Sequence, residues 1–262
     1  MLRAVIFDLG NTLAGLDPST PSTRTDYADV VARPGAERMA RHLAERGILT
    51  PKAAGERYVE RFLEIRERNR RTADQTGREI PATTSVAESL ADAGAAGAGL
   101  SSEAIEGAVR VLFEFEEARI VRLPGAFETL EAVKSRGIPM ALLSNATDGP
   151  YIARVAARLG IRDYFDPFVV SADIGVRKPR SEAFWAVLEK WSFTPEAVAM
   201  VGDSLFHDVD GANRMGLISV HLTQVPNTID PPLRGTIVPR LEVPSHEALR
   251  EALVPLLDGA GA

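Results

Sequence analysis

The side chains of this chain that could do chemistry are carboxylates, a hydroxyl, an amide and one lysine that lie just past short apolar runs. They are Asp8, Ser144, Asn145, Lys178, Asp203 and Asp208. Carboxylate oxygens are the ligands that Mg²⁺ prefers, and an ammonium and a hydroxyl bind phosphate oxygens. The set therefore suits a phosphate group held beside a divalent cation.

The apolar runs before these residues predict the elements that must position them. The runs are Ala4–Phe7, Met140–Leu143, Phe168–Val170, Ala197–Val201 and Ile218–Leu222. Near-continuous apolar strands separated by amphipathic helices are typical of a parallel sheet covered on both faces. Ligands of such sheets bind at the carboxyl ends of the strands, where the polar residues lie. We expect a short extended piece at Ile237–Val238 and a helix over His246–Leu257 to complete this sheet domain.

The region between the first two apolar runs has a different pattern of apolar residues. Apolar residues there recur at helical spacing, which predicts helices over Lys52–Arg71 and Ser102–Arg119, the second capped by Ser101 or Ser102. The prediction is a doubly wound α/β core, residues 1–14 and 122–262, interrupted after its first strand by a helical domain, residues 15–121.

Composition excludes several classes of protein. The 262 residues are 45% hydrophobic and 25% charged, the balance of a folded globular chain. There are no cysteines, which excludes disulfides, thiolate metal sites and a cysteine nucleophile. The net charge of −6 disfavours a general nucleic-acid-binding surface. The longest apolar run, near Ile138–Leu143, is far shorter than the about 20 residues that cross a bilayer. With no recognisable signal peptide, we expect a cytoplasmic protein.

Four ordered motifs resemble those of the haloacid dehalogenase-like hydrolase superfamily. They are Phe7–Leu13, Leu143–Asn145, Arg177–Pro179 and Val201–Ala212. No single motif is specific, but all four are in order and each follows a predicted strand. The helical insertion is similar to the cap domain of that family, although it carries no recognisable motif of its own.

The resemblance implies a role for each matching residue. Asp8 would be the nucleophile, forming a covalent aspartyl intermediate that water later hydrolyses. The phosphate-binding residues would be Ser144, Asn145, Lys178 and Thr12, with Lys178 also catalytic because it holds Asp8 ionised. The Mg²⁺ ligands would be Asp8, the backbone carbonyl of Gly10, Asp203 and Asp208.

Gly10 departs from the family pattern. Phosphatases of the family carry a second aspartate at this position, which protonates the leaving oxygen and then activates water. The backbone carbonyl still serves a metal, but the acid–base role, typically worth ~10²–10⁴ in rate, is lost. A phosphatase that carries Gly10 needs a substitute acid, for which Asp17 is the candidate, or a leaving group that requires little protonation.

Gly10 is also compatible with a dehalogenase and with a binding protein. A 2-haloacid dehalogenase expels halide, which needs no proton, and such family members also lack the second aspartate. They do not need Mg²⁺, however, and replace the acidic fourth motif with neutral residues, whereas Asp203 and Asp208 are present here. Alternatively, the protein has lost catalysis and binds a phosphorylated ligand.

Two further branches of the family are disfavoured. Phosphomutases need the aspartate that Gly10 replaces, and phosphonate hydrolases need a cap lysine, whereas Lys52, near arginines and glutamates, is typical of a solvated residue. We therefore predict a Mg²⁺-dependent phosphatase of a small phosphorylated metabolite, with no nucleic-acid or membrane partner, acting as a monomer or homodimer.

Overall fold

The chain folds into two compact units. A computed structural model describes residues 1–20, 27–95, 101–226, 233 and 235–258. The core unit comprises Met1–Gly15, Val121–Ala146 and Ala156–Ala262. The helical unit comprises Leu16–Ile120 and Thr147–Val155.

The core unit contains a six-stranded sheet in the order β5-β4-β1-β6-β7-β8, with every neighbouring pair parallel. Its strands are β1 (Ala4–Phe7), β4 (Met140–Ser144), β5 (Phe168–Val170), β6 (Val198–Gly202), β7 (Ile218–Leu222) and β8 (Leu241–Val243). Two short strands, β2 (Ala14–Leu16) and β3 (Ile120–Arg122), pair where the chain leaves and re-enters this unit. The predicted parallel α/β architecture is confirmed.

Helices accompany the strands of the core unit. They are α5 (Ala126–Lys134), the end of α6 (Gly149–Arg158), α7 (Ser171–Ile174), α8 (Ser181–Leu188), α9 (Gly211–Met215) and α10 (His246–Asp258). On one face, Ile6 of β1 and Met200 of β6 share a buried cluster with Phe184 and Val187 of α8. Each fully buried side chain of this size contributes about 1.5–3 kcal/mol, so the cluster is a main source of the unit's stability.

The helical unit is built mainly from four helices with apolar faces. They are α1 (Arg33–Glu45), preceded by a π-helical turn at Ala28–Ala32, then α2 (Glu56–Thr76), α3 (Ala82–Asp92) and α4 (Ser102–Glu117). Ser101 caps α4, since its hydroxyl accepts the N–H of Ala104 at 3.1 Å. Gly77 ends α2 with a φ of 68°, a left-handed conformation that favours glycine.

Several predicted boundaries were wrong. Helix α2 begins at Glu56 rather than at residue 52, because the preceding residues form a turn in which Thr50 Oγ1 accepts the N–H of Ala53. The edge strand is Leu241–Val243 rather than residues 237–238, since Pro239 has no N–H to donate and Val238 is 67% exposed. The alanines and glycines of residues 93–99 predict a loop, and part of that stretch lies outside the described residues.

The division into units also differs in detail from the predicted domains. The chain passes between units at Gly15–Leu16 and at Ile120–Val121, within one residue of the predicted positions. The helical unit, however, also includes Thr147–Val155, which the sequence pattern placed with the sheet. Within that unit Tyr151 stacks on Phe113 with ring centroids 4.5 Å apart, a contact that no local pattern indicates. Among the described helices, none is long and apolar enough to cross a membrane.

Candidate active site

Asp8 lies at the carboxyl end of β1, the strand between β4 and β6 near the middle of the sheet. Its backbone N–H donates to the carbonyl of Val201 at 2.9 Å, so the parallel ladder continues to Asp8 itself. Its side chain is buried, near Asp203 and Asp208, which follow β6. The position is the one that open α/β sheets use for ligands.

Lys178 brings its ammonium to this edge of the sheet. The side chain is 1% exposed, and Nζ lies 2.8 Å from Asp8 Oδ1, 2.7 Å from Asp208 Oδ1 and 2.6 Å from the carbonyl oxygen of Leu143. An ammonium has three N–H donors, and three oxygens surround it here. Lys178 is therefore a buried cation held between two carboxylates and a strand end.

Asn145 holds the backbone of Lys178. Its Oδ1 accepts the N–H of Lys178 at 2.9 Å, and its Nδ2 donates to the Lys178 carbonyl at 3.0 Å. The amide thus pairs with both sides of one residue's backbone. This contact links the loop after β4 to the loop that delivers Lys178.

Asp208 is fixed by a close approach to the backbone of Gly202. A Cβ on Gly202 would lie 2.2 Å from the Asp208 carboxylate, so only glycine fits while that carboxylate stays in place. The second carboxylate oxygen of Asp208 accepts the N–H of Ser204 at 3.0 Å. The end of β6 therefore creates the space in which Asp208 reaches Lys178.

Three buried carboxylates converge at the site. Ligand oxygens of Asp8, Asp203 and Asp208 all lie within 4.8 Å of one another. Burial raises the pKa of Asp8, and Asp208 raises it further, with Lys178 only partly offsetting them. Burial opposes the charge of Lys178, but the carboxylates of Asp208 and Asp8 outweigh it and raise the pKa of the ammonium. The hard oxygen donors of these three carboxylates fit a divalent cation such as Mg²⁺.

The turn after Asp8 carries Gly10 and Thr12. The carbonyl of Leu9 accepts the N–H groups of Thr12, Leu13 and Ala14, which closes the turn tightly. A Cβ on Gly10 would have no heavy atom within 4 Å, so the missing aspartate leaves open space. Thr12 Oγ1 is buried and has no hydrogen-bond partner among the described residues.

Ser144 is the last residue of β4 and is buried at the same edge as Asp8. Residues Phe7 and Leu142 are register partners in β1 and β4, which places the strand ends side by side. The site residues that the sequence predicted in the core unit therefore lie at adjacent strand ends and in the loops that follow them.

Asp17 belongs to the helical unit and makes local contacts. Its Oδ1 accepts the backbone N–H of Ser19 at 2.8 Å and the hydroxyl of Ser19 at 2.5 Å. These hydrogen bonds lower the pKa of Asp17. A carboxylate with a lowered pKa is ionised at neutral pH and is a weak proton donor, which disfavours the predicted role as substitute acid.

Two contributions to the site were absent from the sequence prediction. The carbonyl of Leu143 is a ligand of the Lys178 ammonium, and no side-chain pattern reveals a backbone acceptor. Gly202 is required by the Asp208 carboxylate, and its place directly before Asp203 at a strand end is the signal that could have found it.

Comparison with known proteins shows which protein family this chain matches. Residues 2–216 match the model of the haloacid dehalogenase-like hydrolase family. Ribulose-1,5-bisphosphate 5-phosphatase of Halopiger xanaduensis is 37% identical over 105 residues, which are 40% of this chain and 43% of that relative. The match thus spans less than half the length of that relative.

Two likenesses extend over most of the chain. Glyceraldehyde 3-phosphate phosphatase of Methanopyrus kandleri is 25% identical over 85% of this chain and 84% of its own length. The crystal structure of 2-haloacid dehalogenase from Pseudomonas syringae pv. Tomato DC3000 superposes with a TM-score of 0.69 at 23% identity, covering 98% of this chain and 100% of that one. The structural likeness is one of fold.

Proposed function

This chain belongs to the haloacid dehalogenase-like hydrolase family, and we propose that it hydrolyses a small phosphate monoester through an aspartyl-phosphate intermediate at Asp8. The observation that carries the proposal is the cluster of three buried carboxylates, Asp8, Asp203 and Asp208, around one lysine. A phosphate ester brings negative charge that a divalent cation must offset, whereas displacement of halide from a haloacid does not need a metal at the nucleophile.

In the first step an oxygen of Asp8 attacks phosphorus, the bond from phosphorus to the leaving oxygen breaks, and that oxygen departs with the bonding pair and takes a proton from solvent. Lys178 binds Asp8 Oδ1, which leaves Oδ2 for the attack. In the second step water attacks phosphorus and gives up a proton to solvent, the bond from phosphorus to Asp8 breaks, and phosphate leaves with Asp8 regenerated. Lys178 favours the ionised form of Asp8 that attacks and orients it before the first step.

The residues that would hold Mg²⁺ are Asp8, Asp203 and the carbonyl of Gly10. When bound, the cation would neutralise negative charge on the phosphoryl group. Asp208 already pairs with Lys178 and accepts the N–H of Ser204, so we assign it to orienting the lysine and to balancing the metal's charge from behind its direct ligands.

The remaining polar residues of the site are assigned to binding the phosphoryl group or to holding neighbouring residues in place. We propose that the Ser144 hydroxyl orients the phosphoryl group at the end of β4. Asn145 was predicted to bind phosphate, but its contacts with the Lys178 backbone support a role in holding the lysine. We propose that Thr12, whose buried hydroxyl has no hydrogen-bond partner among the described residues, braces the first turn or donates to the substrate.

The helical unit is proposed to be the cap that excludes water and selects the leaving group. A small phosphorylated metabolite is the proposed substrate, since relatives bear the names of phosphatases of small sugar phosphates. We propose that the protein acts in the cytoplasm and that its oligomeric state is a monomer or homodimer.

A second candidate is a 2-haloacid dehalogenase, which Gly10 favours because a halide leaves without a proton. The fold likeness to a 2-haloacid dehalogenase is compatible with it. The carboxylate cluster favours the phosphatase. A protein that only binds a phosphorylated ligand is the third candidate.

The test is release of phosphate from p-nitrophenyl phosphate, acetyl phosphate and an alkyl phosphate, with Mg²⁺ or with a chelator, and Asp8→Asn as control. We expect turnover that needs Mg²⁺ and Asp8, fastest on the two activated esters because their leaving groups need little protonation. Halide release from 2-chloropropionate without metal, and no phosphate release, would establish the dehalogenase instead. Tight binding of phosphorylated ligands with neither product would favour the binding protein.

A further inference from the structure

His246 is a fully buried polar residue at the start of α10 that contacts the turn after the nucleophile. Its ring Nε2 lies 2.7 Å from the carbonyl oxygen of Thr12, and its Nδ1 lies 3.0 Å from Thr129 Oγ1. The contact with Thr12 joins residues that are 234 positions apart in the sequence. One imidazole thus connects the nucleophile turn to α10 and to α5.

The direction of these hydrogen bonds follows from the partner atoms. A carbonyl oxygen only accepts, so Nε2 must carry the proton that is donated to Thr12. Burial lowers the pKa of His246, which favours the neutral ring, and Nδ1 is then an acceptor that shares the single hydroxyl proton of Thr129 with the carbonyl of Gly125. Both ring nitrogens are satisfied in one tautomer.

The surroundings hold His246 in a fixed place. Its backbone N–H donates to Oε1 of Gln224 at 2.9 Å, and Nε2 of Gln224 donates to the carbonyl of Pro124 at 3.0 Å. A Cβ on Gly125, which has a φ of 79°, would lie 2.8 Å from Cβ of His246. Close packing and these hydrogen bonds therefore make the ring a rigid anchor.

The hydrogen bonds within the turn converge on the Leu9 carbonyl, and the Leu13 carbonyl accepts the N–H of Leu123 at 3.0 Å. His246 adds a second contact to the core unit, at the Thr12 carbonyl. Asp8 begins this turn, and the carbonyl of Gly10 lies within it. A displacement of about 1 Å at a reacting group can cost about a hundredfold in rate.

We propose that His246 is a positioning residue that holds the nucleophile turn through the Thr12 carbonyl, and so sets both the attack geometry of Asp8 and the place of the Gly10 carbonyl. The role of the turn in catalysis rests on the proposed function. The anchoring of the turn by His246 does not depend on the proposed function and can be measured without a substrate.

The test compares His246→Leu, which keeps bulk but removes the donor, with His246→Gln, whose Nε2 can donate to Thr12. Amide hydrogen exchange over residues 9–14 reports the anchoring without any substrate. We expect faster exchange in this segment for His246→Leu, and exchange near that of the unaltered protein for His246→Gln. Equal exchange in all three proteins would overturn the proposal.

Kinetics on p-nitrophenyl phosphate then test the consequence for catalysis. We expect His246→Leu to lower kcat by about tenfold to hundredfold with little change in KM, and to raise the Mg²⁺ concentration for half-maximal rate, while His246→Gln recovers most of kcat. If the unaltered protein releases no phosphate from any ester, the proposed function fails and the exchange result still decides the anchoring.

The matched control is Leu249→Ala, which weakens the packing of the same helix through a fully buried apolar side chain. We expect it to lower Tm but to leave kcat and exchange over residues 9–14 unchanged. An equal effect of Leu249→Ala on kcat would show that His246 acts only through stability, which contradicts the proposal. Should His246→Leu fail to fold, His246→Asn, whose shorter amide cannot reach Thr12, replaces it.

Discussion

The Lys178 ammonium donates to Asp8 Oδ1 at 2.8 Å, across 170 positions of sequence. The same ammonium lies 2.7 Å from Asp208 Oδ1, so the nucleophile and a second carboxylate share one buried cation. Asp203 adds a third carboxylate within reach of both. The three carboxylates at this strand edge underlie the proposed metal site, and the burial of Asp8 underlies the first prediction.

Replacing Asp8 with asparagine should abolish turnover and raise Tm when Mg²⁺ is absent. Burial raises the pKa of Asp8, so its ionised form destabilises the folded state at neutral pH, and a neutral amide removes that cost. Calorimetry with a chelator present measures the shift. Asp92→Asn is the control, since it removes an exposed partner of Arg61 and should not raise Tm. A lower Tm for Asp8→Asn would mean that Asp8 stabilises the fold.

Replacing Gly202 with alanine should lower both Tm and kcat. The new Cβ would lie 2.2 Å from the Asp208 carboxylate and would push it away from Lys178. Overpacking of this kind costs about 1–3 kcal/mol. Gly107→Ala is the matched control, because its Cβ meets nothing closer than His42 Nε2 at 3.8 Å and alanine favours the helix. Denaturant unfolding and p-nitrophenyl phosphate kinetics check both variants, and unchanged kcat in Gly202→Ala would count against a role for Asp208.

Replacing Gly10 with aspartate should raise turnover of an alkyl phosphate by about a hundredfold, within the usual range for a general acid. A Cβ at this position meets no heavy atom within 4 Å, so it can be added without displacing the turn. Activated esters should gain much less, since their leaving groups need little protonation. Gly10→Ala, which adds only the Cβ, should leave both rates unchanged. No gain on the alkyl ester would mean that another group already supplies the proton.

The stability of the core unit should fall as pH drops below about 6.5, and His246 should account for part of that fall. Burial lowers the folded-state pKa of His246, so the unfolded chain binds the proton more readily. Its contribution is therefore complete above the unfolded pKa and is lost as pH falls towards the folded pKa, with a slope of at most about 1.4 kcal/mol per pH unit. Urea unfolding of the unaltered protein and His246→Gln at several pH values measures it. Identical pH dependence of the two would refute the assignment.

Much of the fold could be predicted from local pattern. The strands Ala4–Phe7 and Ile218–Leu222 were predicted at their observed bounds. Every residue in both strands is buried, because both faces of the sheet are covered. Ser101 or Ser102 was predicted to cap α4, and Ser101 is the cap because its hydroxyl accepts the N–H of Ala104. Such features depend on residues close together in sequence.

What the sequence missed depends on contacts between distant residues. Thr147–Val155 joins the helical unit through packing such as that of Tyr151 on Phe113. At the site, strand order was enough to gather the carboxylates and Lys178 at one edge. The Leu143 carbonyl as a partner of Lys178, and the contact of His246 with Thr12, needed coordinates because backbone acceptors and long-range pairs leave no spacing signal.

Whether water attacks phosphorus, as in the proposed phosphatase, or the carbonyl carbon of an Asp8 ester, as in a dehalogenase, is tested most directly by one catalytic turnover of p-nitrophenyl phosphate in heavy-oxygen water, followed by mass spectrometry of the released phosphate and of the peptide that contains Asp8. In the proposed reaction water attacks phosphorus, so we predict heavy oxygen in the phosphate and none in Asp8. Heavy oxygen in the Asp8 carboxylate after reaction with a haloacid, with no labelled phosphate from any ester, would contradict this mechanism, because water would then attack the carbonyl carbon of an Asp8 ester.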